Sequence, residues 1–480
     1  MDIDKVLDII LQGKDDEKAE HFVRFLADEL WNKYDAYLMD RLLIIENEVK
    51  SMPLTLPNAK EGVPYDHQVC LPNDRPDMVI VKVEGLSETC HGLSVTVADD
   101  KRSFRVSGIP SLEQLRKDTG VVRESTFELS LYYKFQGMEL PSDRPVLVRT
   151  LQLVINQDPR KLWKNVSVDW DNMPYPKYIN EDLQKDYVKV SALPDGTPQK
   201  DIVAASKRGR SHAQDGRPRD DFFKLLHLDN GWYIMAVSDG AGSAKLSRQG
   251  SRLACESAVE YCASRLSGST KFEEEIDKYS EFTNDRESDA RKQVGDFIYN
   301  IVGVAAFNAY KSIKAEADIT GRLIKEYSAT LLLAICKNFD YGWFIASFWV
   351  GDGAICLYDR DRHTAKILGV PDEGDYAGQT RFLTMPEIFK DSKALYGRLR
   401  FNIVSDFTAL ILMTDGVSDP KFETDANLSN PDKWDDLWND LKDNGVDLSD
   451  DNEAAKDQLL DWLDFWSPGN HDDRTIAILY

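Results

Sequence analysis

The sequence predicts an α+β chain in three parts: a helical opening segment, an all-β stretch and a mixed final unit. Three observations carry that prediction. Apolar residues repeat at every fourth position near the start, and they alternate with polar ones through the middle. In the last part, three short apolar runs each end in an Asp-Gly pair.

In the segment 1–50, Phe22, Leu26, Leu30 and Tyr34 recur at four-residue spacing, and Gly and Pro are absent after Gly13. This pattern predicts a helical hairpin packed on the next domain, or a helix pair that binds a partner. In residues 52–157, Phe127, Leu129, Leu131 and Tyr133 alternate, as do Leu151, Leu153 and Ile155, with turn formers between the runs. That is the pattern of a β-sandwich. Residues 158–200, containing DPRKLWKNVSVDWDNMPYPKY, read as a linker able to lie against a domain surface, with Trp163, Trp170 and Tyr175 as packing residues. Residues 201–480 make the last unit. Within it, 422–466 hold 14 acidic residues against 3 Lys, with Trp434, Trp438, Leu441, Leu459, Leu460 and Leu463 at helical spacings. Two amphipathic helices with solvated outer faces are expected there.

A chain of 480 residues holds two to three domains. Its net charge of −23 argues against nonspecific nucleic-acid or anionic-membrane binding. Six cysteines without a C-x-x-C pair are too few for a disulfide framework; Cys70 and Cys90 would pair only in an exported chain, and Cys255 and Cys262 read as core neighbours. The opening MDIDKVLDIILQGKDDEK has acids where a secretion signal needs bases, and no apolar run approaches about 18 residues. A cytoplasmic protein without a transmembrane helix is expected.

The chemistry sits in the last unit. WYIMAVSDGAGS carries Asp239 and Gly240, FWVGDGAICLY carries Asp352, LILMTDGVSD carries Asp415 and Asp419, and HDDRTIAIL carries Asp472 and Asp473. A lone Asp-Gly is usually a hairpin turn. Several acids on the ends of buried strands are different, because unpaired carboxylates repel one another and resist burial. A hard divalent cation resolves that conflict. The donors are oxygens and no His/Cys cluster has zinc spacing, which favours Mg²⁺ or Mn²⁺ and hence phosphate chemistry. Ser211-His212 lacks the G-x-S-x-G turn of a serine hydrolase.

These motifs, in this order over about 202–480, resemble the type-2C metal-dependent serine/threonine protein phosphatases, most of all a divergent bacterial branch. RGRSHAQDGRPRDDFF resembles the family's opening segment, with Asp220 and Asp221 at its acidic pair. VSDGAGS is similar to Asp-Gly-x-Gly-Gly, SATLLLAIC to the Gly-Ser-Thr-Ala strand at Ser328 and Thr330, and WVGDGAICLY to Gly-Asp-Ser-Arg at Asp352. LMTDGVSDP resembles Asp-Gly-x-x-Asp, and HDDRTIAIL resembles Ser-x-Asp-Asn-x-Thr.

The resemblance implies an α-β-β-α sandwich and hydrolysis of phosphoserine or phosphothreonine on proteins by a water activated between two Mn²⁺ or Mg²⁺ ions. Asp239, Asp415 and Asp472 would hold those ions, with the Gly240 carbonyl and Asp221 contributing. Asp352 and Asp419 with Asp415 would suit a third ion. Two departures stand out. Ala241 replaces the His proposed in the family to protonate the leaving group, leaving a metal-bound water, His212 or His471 as substitutes. Gly216 stands where a phosphate-gripping Arg is usual, so Arg217 takes that role here, with Arg219 and Arg210 nearby. The segment 371–398 is a candidate flap. The expected partners are a phosphoprotein substrate and a cognate serine/threonine kinase; the oligomeric state is not legible. A catalytically weak phosphatase-fold scaffold in a kinase signalling system is the alternative, and a metal-dependent nuclease is disfavoured by the acidic surface. LPNAKEGVPYDHQVCLP followed by GLSVTVADDKRSFRVSGIPS resembles bacterial immunoglobulin-like modules at 52–157, and contributes no catalytic residues.

Overall fold

The computed structural model describes residues 16–480 apart from 87–90, 120–124, 139, 141–143, 175–182, 193–195, 197–198, 269, 281–288 and 372–379. Cys90 and Tyr175 therefore lie outside the described residues. Two compact units are present, Met1–Leu162 and Trp163–Tyr480.

Among the described residues, the first unit opens with the helix α1 (Asp16–Ser51); the hairpin expected over 1–50 falls partly on residues 1–15, outside the described residues. No Gly or Pro interrupts this stretch, so nothing supplies a turn. Only its last turns join the unit's core, through Leu42 and Val49, while Phe25, Leu30, Trp31 and Tyr37 stay exposed. Among the described residues seven strands follow: β1 (Ala59–Lys60), β2 (Tyr65–Cys70), β3 (Met78–Glu84), β4 (Leu93–Val97), β5 (Ser103–Gly108), β6 (Thr126–Phe135) and β7 (Leu147–Asn156). They form sheets of order β1-β7-β6-β3 and β2-β5-β4. Alternation places Leu129, Leu131, Leu151 and Leu153 in one core with Val69, Phe104 and Val106 from the smaller sheet.

The second unit contains the part expected as a linker. Residues Leu183–Val188 form β8, which pairs antiparallel with β9 (Ile202–Lys207) as the edge strand of a sheet. LQKDYV lacks the apolar run of a buried strand, because an edge strand covers one side only; that is why its sequence reads as a connection.

The remaining strands are β10 (Phe222–His227), β11 (Tyr233–Ser238), β12 (Leu331–Phe339), β13 (Gly342–Val350), β14 (Ala354–Asp359), β15 (Thr364–Ile367), β16 (Leu399–Val404), β17 (Ala409–Met413) and β18 (Arg474–Leu479). They build two antiparallel sheets, β10-β11-β12-β13-β16 and β15-β14-β17-β18-β9-β8. Period-two alternation divides β11 between two cores. Tyr233, Met235 and Val237 face the six-stranded sheet, whereas Ile234 and Ala236 face helices. Those helices include α4 (Ser247–Leu266), α5 (Thr270–Ser280), α6 (Asp289–Ile298) and α7 (Val304–Thr320), numbered after the short α2 (Glu113–Thr119) and α3 (Arg210–Asp215). Across the molecule, α8 (Ser392–Tyr396) and α9 (Asp415–Phe422) are followed by α10 (Pro431–Asp443) and α11 (Ala455–Trp462). The last two set Trp434, Leu437, Leu441 and Leu459 against the six-stranded sheet. They are the amphipathic pair read in 422–466. The layers thus run helix, sheet, sheet, helix.

Candidate metal centre

Antiparallel register decides where the acids meet. Ala354 pairs with Met413, and Met413 with Ile476, so the start of β14, the end of β17 and the start of β18 share one edge. Arg474 pairs with Lys207, which brings the end of β9 there too. In the facing sheet, Phe222 pairs with Ser238 and Leu331 with Val350. Asp220 and Asp221 before β10, Asp239 after β11, Asp352 after β13 and Asp415 after β17 therefore project at the same end of the sandwich.

Asp239, Asp352 and Asp415 each offer a carboxylate oxygen within 4.8 Å of the others. Asp472 lies outside that trio, and its Oδ1 is 4.0 Å from His212 Nε2. Asp352, expected to serve a third ion with Asp415 and Asp419, is inside it. Asp419 is exposed one helical turn beyond Asp415.

The backbone at each acid is pinned. The Asp239 N–H donates to Thr330 Oγ1 at 2.8 Å, and Thr330 N–H returns a bond to the Asp239 carbonyl at 2.8 Å. At Gly240 a Cβ would stand 2.7 Å from the Asp220 carbonyl oxygen, so only glycine lets these two segments touch. At Gly416 a Cβ would stand 1.8 Å from the Asp473 carbonyl oxygen. Asp221 is 1% exposed; its Oδ2 accepts from the hydroxyls of Thr475 (2.6 Å) and Thr414 (2.9 Å), whereas its Oδ1 has no hydrogen-bond partner.

Burial and mutual repulsion push these carboxyls up. Asp239 and Asp415 rise well above the ordinary range, by burial first and then by neighbouring acids, Asp415 for the former and Asp352 for the latter. Burial, with Asp473 next, raises Asp221 to about 7. Burial also raises Asp220 to about 6, and Asp472 is raised for the same reason; Asp419, exposed as a residue but partly buried at its carboxyl, rises to about 6 through that partial burial and then the Asp352 charge.

Asp473 behaves oppositely. Burial works against its charge, but His212 and the N–H groups of Gly209 and Asp220 hold it below the usual range. Those N–H groups donate to Oδ1 at 2.6 Å and to Oδ2 at 2.5 Å, and His212 Nδ1 lies 2.9 Å from Oδ2. Burial disfavours the His212 cation, yet the Asp473 charge outweighs it and lifts the imidazole to about 9. Asp473 thus ties the turn after β9 to the Asp220–Asp221 segment. His471, the other candidate imidazole, packs at a tilt against Trp163 and Trp466 with ring centroids 4.4 and 5.1 Å away.

Among the arginines, Arg217 Nη2 donates to Asp220 Oδ2 at 3.1 Å and to the Gly242 carbonyl at 2.9 Å, which places it at the rim. Arg219 is buried, and Arg210 is held by Asp464 and the Phe465 carbonyl. In the candidate flap, 372–379 lie outside the described residues. Of the rest, Thr380 Oγ1 donates to Asp352 Oδ2, and Leu383 N–H donates to the Ala329 carbonyl.

A protein phosphatase 2C family model matches residues 208–464, more than half of the chain. The chain belongs to the protein phosphatase 2C family. Solved structures similar to this family member include the catalytic domain of the serine/threonine phosphatase PstP with two manganese ions, at 14% identity over 62% of this chain and 98% of that one, TM-score 0.33. The serine/threonine phosphatase Stp1 from Staphylococcus aureus is 12% identical over 61% of this chain and 98% of that one, TM-score 0.35. RsbX in complex with magnesium is 12% identical over 62% of this chain and all of that one, TM-score 0.31. No curated protein matches the chain.

Sequence reasoning missed Thr414 and Thr475 as the partners of Asp221, and Asp473 as the link between segments. The Thr residues directly precede Asp415 and closely follow Asp473, but nothing in one chain's sequence tells which strand faces which.

Proposed function

We propose that this family member is a metal-dependent protein phosphatase that hydrolyses phosphoserine or phosphothreonine. The observation that carries the reading is the trio Asp239, Asp352 and Asp415, within 4.8 Å of one another inside the matched segment. The donor set fits hard cations. Its acids are raised by burial and then by mutual repulsion, and the buried Asp221 Oδ1 has no hydrogen-bond partner. Asp239, the Gly240 carbonyl, Asp415 and Asp472 would hold two Mn²⁺ or Mg²⁺ ions, with Asp221 behind them; Asp352 and Asp419 with Asp415 would take a third. When bound, such ions supply Lewis acidity toward a phosphoryl oxygen and a water.

The chain's own residues do the rest. Arg217, already turned to the rim, offers its fork to the phosphoryl group. Asp473 fixes His212 so that its Nε2 lies 3.9 Å from Asp220 Oδ2 and 4.0 Å from Asp472 Oδ1, keeping a proton beside the acids that Ala241 cannot supply. We place the activity in the cytoplasm of a bacterial signalling system, opposite a serine/threonine kinase. Free Cys255, Cys262, Cys336 and Cys356 suit a reducing compartment. Residues 52–157 are read as an immunoglobulin-like recruiting module, supported by seven strands in two sheets around one core. Release of phosphate from a small aryl phosphate should require added Mn²⁺ or Mg²⁺ and vanish with a chelator. Full activity after exhaustive chelation would overturn the metal assignment, and no activity with either ion would favour the scaffold.

A further inference from the structure

A cavity of about 340 Å³ has Trp349, Arg381, Arg398 and Arg400 in its wall, and Glu387 as the one carboxylate among its described lining residues. In a chain of net charge −23, three guanidinium groups around one concavity are a local inversion of sign. Trp349 is anchored from both ends: its indole N–H donates to the Gly351 carbonyl at 2.8 Å, and its carbonyl accepts from Arg398 Nη1 at 3.1 Å. Arg400 Nη1 donates to the carbonyls of Gly397 and Leu399, each at 2.8 Å, which fixes where its fork stands.

The cavity connects to the acids along two short paths. Trp349 leads through Gly351 to Asp352, and Arg381 follows Thr380, whose hydroxyl donates to Asp352. A substrate chain with its phosphorylated residue at the acids would pass the cavity within a few residues. Arg pairs planar oxyanions bidentately, whether phosphate or carboxylate.

We propose that this cavity is a docking subsite for a second anionic side chain of the substrate protein, near the phosphorylated residue being hydrolysed. The proposal rests on the phosphatase reading and adds a rule of substrate choice to it. An acidic catalytic end would repel a substrate rich in phosphate or carboxylate; the arginine wall offsets that repulsion at one defined place.

The test uses the full chain and peptides that share one phosphoserine and differ at flanking positions: a second phosphoserine, Glu, Ala or Lys. With Mn²⁺, kcat/KM should be about tenfold higher for the better anionic peptide than for the Ala peptide, and lowest for Lys, as expected for one charge-assisted contact. Ranking phosphoserine against Glu identifies which oxyanion the subsite takes. Arg400→Glu, and separately Arg381→Glu, should erase the preference, while aryl phosphate turnover and the melting temperature stay near wild type. Equal kcat/KM across the peptides, or equal losses on aryl phosphate and anionic peptide, would overturn the proposal. Fluorescence anisotropy of the doubly phosphorylated peptide with chelator present reads the subsite even if no turnover occurs. Binding about tenfold weaker in Arg400→Glu supports the subsite, and equal binding removes it.

Discussion

Asp221→Asn should make the metal-free protein more stable and the enzyme inactive. Asp221 is buried, its Oδ1 has no hydrogen-bond partner, and burial with the Asp473 charge raises its carboxyl from 3.8 to about 7. Above pH 7 the folded chain must carry that charge or bind a cation. A rise of this size, at about 1.4 kcal/mol per pH unit, corresponds to at most about 4 kcal/mol. Asn removes the charge, and its carbonyl oxygen can still accept from Thr414 and Thr475. In chelator at pH 7.5, thermal or urea unfolding should therefore show the variant more stable than wild type, and Mn²⁺ should stabilise wild type more than the variant. The pH dependence has a definite direction. Between about 4 and 7 the folded state holds a proton that the unfolded state has released, so metal-free wild type loses stability as pH rises through that window. Asp221→Asn should flatten that slope. A metal-free variant less stable than wild type, with unchanged Mn²⁺ stabilisation, would refute the reasoning.

Asp239→Asn should keep the fold, by circular dichroism, and lose at least about tenfold in turnover of aryl phosphate, the effect of about 1.4 kcal/mol on the barrier. Asp419→Ala, one helical turn beyond Asp415, should lose less than Asp239→Asn and should shift the Mn²⁺ concentration needed for half-maximal rate; equal and total loss in both would make Asp419 a primary ligand. A chain shortened to begin at Trp163 should hydrolyse aryl phosphate at close to the full rate. One beginning at Asp201 should melt lower, because it lacks β8 and the Tyr187 and Val190 partners of the Asp201 carboxylate. Equal melting of the two would show that β8 contributes nothing.

The strand-end acids were legible because Asp-Gly after an apolar run is a local signal, and the structure gathers Asp239, Asp352 and Asp415. The cores of the second unit were legible for the same reason, since alternation along β11 or β12 needs no knowledge of partners. What escaped notice depends on contacts between distant segments. Asp473 bonds to Gly209 and Asp220 across more than 250 positions, so its role could not be told from that of its neighbour Asp472. β8 escaped because an edge strand can be half polar. Register, which decides that Asp352 stands inside the trio and Asp472 outside it, is a property of paired strands and not of either alone.

β18 has a consequence for how the protein comes into being. It lies between β17 and β9, two strands made 200 residues apart, and it is itself drawn from residues 474–479. A ribosome releasing this chain from its N-terminal end exposes β9 long before its neighbour exists. Until Arg474–Leu479 has emerged, the six-stranded sheet remains split, Asp473 cannot bridge the turn after β9 to Asp220, and the acids lack a common frame. Synthesis thus withholds the site until β18 has been made. A ribosome that stalls or stops before Arg474–Leu479 is made should leave a chain with no partial hydrolase activity, one exposing two unpaired strand edges that quality-control proteases and chaperones can recognise.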